Sequence, residues 1–320
     1  MITKVQTLRI ICFLIVIALA DQLAGLVLRK LYFTQNTGLS ANLNYSLQDC
    51  KADILIFGNS RAQHHYDSRI LSDCLQMSCF NAGLDGGHSI LLPYAQTKVI
   101  TERYIPKIII LEFYLDGIAH LAGNYDRLSV LLPYYEKYPE LHSIIQLRSP
   151  YEKVKLLSAI YPFNSDLIDI IRLNKKTTLS AKQDFEGYVP LKNKILNAGM
   201  LKTVTGILTQ PVVDTNMVIA LKDIIRLCKE KNISLYIFTS PVFHNISEKP
   251  GPLSLAAKQS LEIILQNKVN YFDFSFDSSF AEHPEWFDDK VHLNAYGATK
   301  YSQMIGELIK KRELHKTNLQ

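Results

Sequence analysis

Apolar residues in this chain gather into short uninterrupted runs, separated by stretches in which they recur at helical spacing. Asp53-Ile54-Leu55-Ile56-Phe57-Gly58 is an apolar run stopped by glycine, the pattern of a strand buried on both faces. Residues 78–82 predict a second short strand, 107–113 the clearest of the set, 235–239 a fourth and 269–274 a fifth. Helical spacing covers 66–76, 89–104, 216–231, 253–267 and 295–312. Strands alternating with helices predict an α/β fold, a three-layer α/β/α sandwich with a parallel sheet of about five strands. Ligands of such sheets bind beyond the carboxyl ends of the strands. That rule puts Gly58-Asn59-Ser60-Arg61, the loop from Gly83 to His88 and the residues after Phe113 along one rim. Residues of about 120–215 break the rhythm, being rich in Tyr, Pro and Lys with helical pieces and no clear strand. The span 51–320 thus reads as one domain carrying a helical insertion.

The N-terminus has a different pattern. No polar side chain interrupts residues 10–20, and the apolar character resumes from Leu23 to Leu28. Residues 8–28 are just long enough to span a bilayer, with Arg9 able to snorkel at one end and Arg29 and Lys30 marking the other. Asp21 and Gln22 are the costly features and are tolerable near an interface. Residues 1–30 therefore read as an uncleaved membrane anchor, with the soluble domain expected outside the cytoplasm. Two alternatives stay open: a signal peptide cleaved near Ala20, after the small-x-small triplet Ala18-Leu19-Ala20, and a buried helix of a cytoplasmic protein. Residues 31–50, with Thr34, Gln35, Gly38 and Ser40, read as a polar tether.

Composition narrows the picture in three places. A 48% hydrophobic and 20% charged chain can bury a full core. The net charge of +5, without a basic block, does not argue for nucleic acid, and none is expected as a partner. Five cysteines with no CxxC spacing give no support to a zinc or thioredoxin-type motif. Cys74 and Cys79 either close a short-loop disulfide in an oxidising compartment or stay as two buried thiols. His64 and His65 lack further ligands at matching spacing, so they read as rim or helix-surface residues and no metal is expected.

Three rim elements can carry chemistry. Ser60 follows the first strand and opens a helix, which suits either a helix cap or a nucleophile. Asp289 precedes His292 by three residues on the loop entering the last helix, so the acid can fix the imidazole that acts as general base. The glycines of Asn81-Ala82-Gly83-Leu84-Asp85-Gly86-Gly87 let a backbone N–H approach a bound oxygen, alongside the N–H of Ser60. Trp286 is the aromatic residue best placed to stack on a sugar ring, although packing is the commoner use.

Taken together and in this order, these blocks resemble the SGNH hydrolase family, also called GDSL-like. Gly58-Asn59-Ser60 matches the family's nucleophile block with Asn for Asp, the spacing from Asn81 to Gly86 matches its second block, and Asp289 to His292 with Leu293-Asn294 matches its last. The resemblance implies Ser60, His292 and Asp289 as catalytic residues, with the amides of Ser60 and Gly86 as oxyanion donors. The family's third block places an Asn donor after the third strand; here Leu115 stands in that position, before Asp116. His88, Asn59 and Arg61 are candidates to replace that donor, and with Asp116 and Trp286 they are the expected substrate-binding residues. The Asn-Ser-Arg variant, the anchor and the insertion resemble the membrane-anchored cell-envelope branch. That implies an esterase or O-acyl (acetyl) transferase acting on acylated carbohydrate, with no cofactor and with a membrane acyl-transfer protein as a possible partner. The competing expectation is a catalytically weak protein of the same fold that binds or helps assemble surface carbohydrate.

Overall fold

The computed structural model describes residues 3–35, 38–174, 186–192, 212–244 and 250–317. In chain order the regular elements are α1 (Lys4–Phe33), α2 (Gly38–Gln48), β1 (Ile54–Phe57), α3 (Ser60–His65), α4 (Ser68–Leu75), β2 (Cys79–Asn81), α5 (Leu91–Arg103) and β3 (Ile108–Glu112). Short helices α6 (His142–Gln146), α7 (Glu152–Lys155) and α8 (Leu167–Asn174) follow, then α9 (Thr215–Glu230), β4 (Ser234–Thr239), α10 (Leu255–Gln266), β5 (Asn270–Asp273), α11 (Ser278–Ala281) and α12 (Ala295–Thr317). The chain divides into two compact units, Met1–Ala41 with Tyr125–Ser180, and Asn42–Asn124 with Ala181–Gln320.

The second unit holds a five-stranded, all-parallel sheet in the order β2-β1-β3-β4-β5. Ile54 lies opposite both Cys79 and Ile108, and Ile110 opposite Tyr236. Side chains alternate between the faces of a strand. Ile54, Ile56, Ile108, Ile110, Tyr236 and Phe238 share one core with Ala62, Tyr66 and Leu71 of the α3–α4 region and with Ala298, Tyr301, Ile305 and Ile309 of α12. The alternate residues Leu55, Phe57, Ile109, Leu111 and Ile237 are equally buried toward the opposite layer, where α5 packs against α9. The fold is thus the expected α/β sandwich. Its strand order changes direction between β1 and β3, which is where open parallel sheets bind ligands.

One expectation changes. Residues 31–50 are not a polar tether: α1 runs to Phe33 and α2 covers Gly38–Gln48. A composition that looks polar conceals Leu43 and Leu47, four apart on one helix face and both buried. The Asn42 side chain donates to the Asn81 carbonyl at 3.1 Å and so attaches α2 to β2. The helix expected over 66–76 is α4, and it is set off from the preceding short helix α3 because Asp67 accepts from the Arg69 N–H at 3.1 Å and caps a new helix. Cys74 and Cys79 are free thiols; Cys74 Sγ lies 3.2 Å from Glu307 Oε1.

In the first unit, α1 is one continuous helix, long and apolar enough to cross a membrane, as a signal sequence would also be. Its residues 4–20 are exposed throughout, whereas Gly25 and Tyr32 are buried. Asp21, the costly acid, accepts from Ser158 Oγ at 2.6 Å and from the Ala159 N–H at 2.7 Å. Gly25 sits so close to Ala159 that a Cβ there would lie 2.3 Å from the Ala159 Cβ. Tyr32 packs on the rings of Tyr134 and Phe163, with centroids 6.0 and 5.6 Å away. Where described, the insertion consists of α6, α7, α8 and 3-10 turns, and it contains no strand among the described residues.

Candidate active site

Ser60 emerges directly from the carboxyl end of β1. Gly58 makes the turn at φ +148°, and a Cβ there would lie 2.8 Å from Ala62 Cβ and 2.9 Å from Glu112 Cβ, so only glycine fits. Asn59 caps α3, its side chain accepting from the Arg61 N–H at 3.1 Å. Ser60 is then the first residue of α3 and is half-buried.

The second element is a tight turn before α12. The Asp289 carboxylate accepts from the backbone N–H groups of Val291 and His292, both at 2.8 Å, which folds the acid back beside its own histidine. His292 Nδ1 lies 2.9 Å from Asp289 Oδ2, and His292 Nε2 lies 2.9 Å from Ser60 Oγ. An ionised carboxylate only accepts, so Nδ1 carries the proton and neutral Nε2 accepts from the serine hydroxyl. Partial burial pushes the Asp289 carboxyl up, but the bonds from the His292 ring and from the Val291 and His292 amides outweigh it, and the group falls below the ordinary carboxylate range. Asn294 holds the start of α12, accepting from the N–H groups of Tyr296 and Gly297 at 3.1 Å each.

The glycine loop is arranged less simply. Gly86, at φ +115°, donates its N–H to Asp85 Oδ1 at 2.6 Å, and the His88 ring lies close enough that a Cβ on Gly86 would be 3.3 Å from His88 Nε2. Asn81 is a scaffold residue: its amide donates to the carbonyls of Ala62 at 2.7 Å and Tyr66 at 2.8 Å and accepts from the Gly83 N–H at 3.0 Å. Leu115 is buried, and the neighbouring Asp116 accepts from the hydroxyl of Ser254, the N-cap of α10. Trp286 is half-buried, with one face stacked on His283 at 3.8 Å between centroids and its edges against Phe280 and Tyr296.

Arg61 is placed otherwise than expected. Its guanidinium turns inward, 2.8 Å from Glu112 Oε1 at the end of β3, while Nε donates to Ser240 Oγ at 3.1 Å. Arg61 is 9% and Glu112 6% exposed, so the pair lies beneath the rim and does not face a ligand. Burial pushes the Glu112 carboxyl above its ordinary range, against the lowering effects of Arg61, Tyr66 and Ser240. His64 and His65 are likewise not surface residues, because α3 lies against the sheet end and buries both. His65 Nδ1 meets Ser240 Oγ at 2.7 Å and its Nε2 accepts the Leu293 N–H at 2.9 Å, which fixes a neutral imidazole. Burial, with Arg61, His292 and His64 nearby, holds its pKa well below normal. His64 Nδ1 meets the Val189 carbonyl at 2.7 Å, and its ring stands edge-on to His292 with centroids 5.8 Å apart.

Sequence reasoning missed Glu112, Ser240 and His65. The available signal was an acid at the end of the most apolar strand, which needs a buried cation such as Arg61. Among the described residues, no three His, Cys, Asp or Glu side chains gather so as to hold a metal ion.

No family model matches the sequence. No curated protein matches it. Among solved structures, the chain is similar to the crystal structure of an acetyl xylan esterase, with a TM-score of 0.35 and 11% identity over 81% of this chain and 98% of that one.

Proposed function

We propose that this protein is a serine-dependent ester hydrolase or O-acyltransferase that works through an acyl-enzyme on Ser60. The observation that carries the reading is the continuous chain from Ser60 Oγ through both nitrogens of His292 to Asp289, with each contact within hydrogen-bond reach. In this reading Ser60 Oγ adds to the ester carbonyl as its proton passes to His292 Nε2, and Asp289 supports the imidazolium. His292 then protonates the leaving alcohol. A second acceptor, water or a hydroxyl, reverses the sequence and releases the acyl group. The Ser60 amide and the Gly86 amide, once turned from Asp85, are the donors proposed for the developing oxyanion. We assign the substrate to the class of acylated carbohydrates of the cell envelope on the resemblance of the motifs. The apolar helix α1 we assign as a membrane anchor, with the sheet domain outside the cytoplasm.

A second reading, a carbohydrate-binding protein of the same fold with little catalysis, is favoured by one pair of observations. Gly86 gives its N–H to Asp85, and the buried Leu115 offers no side-chain donor after β3. Hydrolysis of p-nitrophenyl acetate by the detergent-solubilised protein separates the two. Turnover and fluorophosphonate labelling that both vanish in Ser60→Ala support the enzyme. A folded wild type that neither turns over nor labels leaves the binding protein.

A further inference from the structure

We propose that His64 is a second imidazole of the site, on the acceptor side, and that it selects acceptors presenting two hydroxyl hydrogens, either water or the vicinal diol of a sugar. The inference rests on the serine-ester reading and names the acceptor within it.

Ser60 and His64 are four residues apart in α3, so they share one face of the helix, one turn apart. The Val189 carbonyl can only accept, so His64 Nδ1 carries its proton. In the neutral ring, Nε2 is then a bare lone pair. His292 is built the same way, with Nδ1–H on a fixed oxygen and Nε2 toward the serine. The two rings stand edge-on at 87°. His292 therefore has a partner for each nitrogen, whereas His64 has none on Nε2 among the described residues. His64 is only 7% exposed as a residue, yet its Nε2 is not one of the solvent-excluded side-chain atoms that lack a partner, so the bare nitrogen lies where a ligand can reach it. Burial is also the first reason the ring stays neutral, with His292 adding to it against the Val189 bond. A satisfied core histidine such as His65 uses both nitrogens; His64 keeps one for a ligand.

The chemistry balances with His64 as a hydrogen-bond acceptor alone. In deacylation, the acceptor oxygen bonds to the acyl carbon on Ser60 Oγ, and its proton passes to His292 Nε2. The C–Oγ bond then breaks and Oγ recovers that proton from His292. The acceptor's second hydroxyl hydrogen stays on its oxygen and donates to His64 Nε2. Water and a vicinal diol have that second hydrogen, whereas a simple alcohol has none.

The test is acceptor partitioning with full-length protein in detergent. p-Nitrophenyl acetate is turned over in the presence of equal concentrations of ethane-1,2-diol and ethanol, and the acetate, glycol monoacetate and ethyl acetate are quantified. The wild type is expected to prefer the diol over ethanol by about threefold or more per hydroxyl, the scale of one net hydrogen bond. His64→Ala is expected to lose that preference, and His64→Gln, which can present an acceptor oxygen at similar reach, to regain part of it. If neither alcohol competes with water, a hydrolysis rate that falls in His64→Ala and recovers in His64→Gln assigns the position to water. A preference retained in His64→Ala, or a fall in kcat/KM with partitioning unchanged, overturns the proposal, the second result marking a merely structural residue. Absence of any Ser60-dependent turnover in the wild type overturns the serine-ester reading as well.

Discussion

The backbone N–H of Leu293 donates to Nε2 of His65 at 2.9 Å, and this bond ties the helix that carries Ser60 to the loop that carries His292. The residue that follows His292, the histidine facing Ser60, is therefore held from beneath by a fully buried ring whose other nitrogen rests on Ser240. His65→Phe keeps an aromatic ring but leaves a buried amide without an acceptor, a cost of about 1–3 kcal/mol. A urea titration should show a lower midpoint with an unchanged slope. The same variant should label more slowly with fluorophosphonate, because the His292 loop has lost its support.

Arg61 and Glu112 form a buried ion pair, and buried pairs are most sensitive to losing one member. Arg61→Met is expected to cost about 3–5 kcal/mol, because it strands a carboxylate without its counter-charge. Adding Glu112→Gln should recover part of the loss, since Gln retains an acceptor for the Ser240 N–H, now at 3.1 Å from Glu112 Oε2. Denaturation of the two singles and the double measures the coupling. Additive effects would mean that the two groups do not communicate.

Most of the sheet was legible because its strands are uninterrupted apolar runs: Ile54–Phe57 and Ile108–Glu112 fall where the pattern put them. The position of Asp289 beside His292 was legible for a related reason, that a three-residue turn brings an acid to its own histidine. Arg61 and the two histidines after it were not. Their residue types are those of a surface, and only the packing of α3 on the sheet end turns them inward. The α2 segment was hidden by composition, since its polar residues outnumber the two leucines that dock it. Long-range pairs such as Arg61 with Ser240 have no local signature at all.

Gly58, two residues before Ser60, is a tight backbone position. Gly58→Ala would bring a methyl within 2.9 Å of both Ala62 and Glu112 side chains in a conformation that L-residues rarely adopt. Both partners belong to packed elements that cannot step aside. The variant should be destabilised by about 2–4 kcal/mol, lowering the thermal midpoint and the yield of folded protein. Ordinary wild-type melting behaviour would show that the turn is not as drawn.

Asp289 links the site to acid. Its folded pKa is depressed, so its contribution to stability is fully present above the unfolded carboxylate value and is lost as pH falls through the lower folded value. The window therefore lies at and below about pH 4, the ordinary aspartate range. Asp289→Asn should be less stable than the wild type at neutral pH, and the gap should close on acidification. Thermal melts of both proteins from neutral to acid pH check this. The carboxylate is half-exposed, so the gap should be modest. The activity loss should instead be large, about a thousandfold or more, because an amide fixes the wrong tautomer of His292.

The docked half of α1 sets where the chain can be shortened. Asp21 holds Ser158 and Ala159, Gly25 abuts Ala159, and Tyr32 fills the space between Tyr134 and Phe163. Residues 4–20 make none of these contacts and are exposed along their whole length. Removing residues 1–20 therefore takes away the membrane-competent stretch without unpacking the helical unit. Removing residues 1–33 also strips Tyr32 from two fully buried rings, which exposes an apolar patch and should drive aggregation. The expected outcome is that the chain starting at Asp21 stays in the supernatant after ultracentrifugation, with a sharp thermal transition. The chain starting at Thr34 should pellet or melt broadly. If both behave alike as folded soluble proteins, Tyr32 and Gly25 do not hold the unit together, and α1 acts as an address alone.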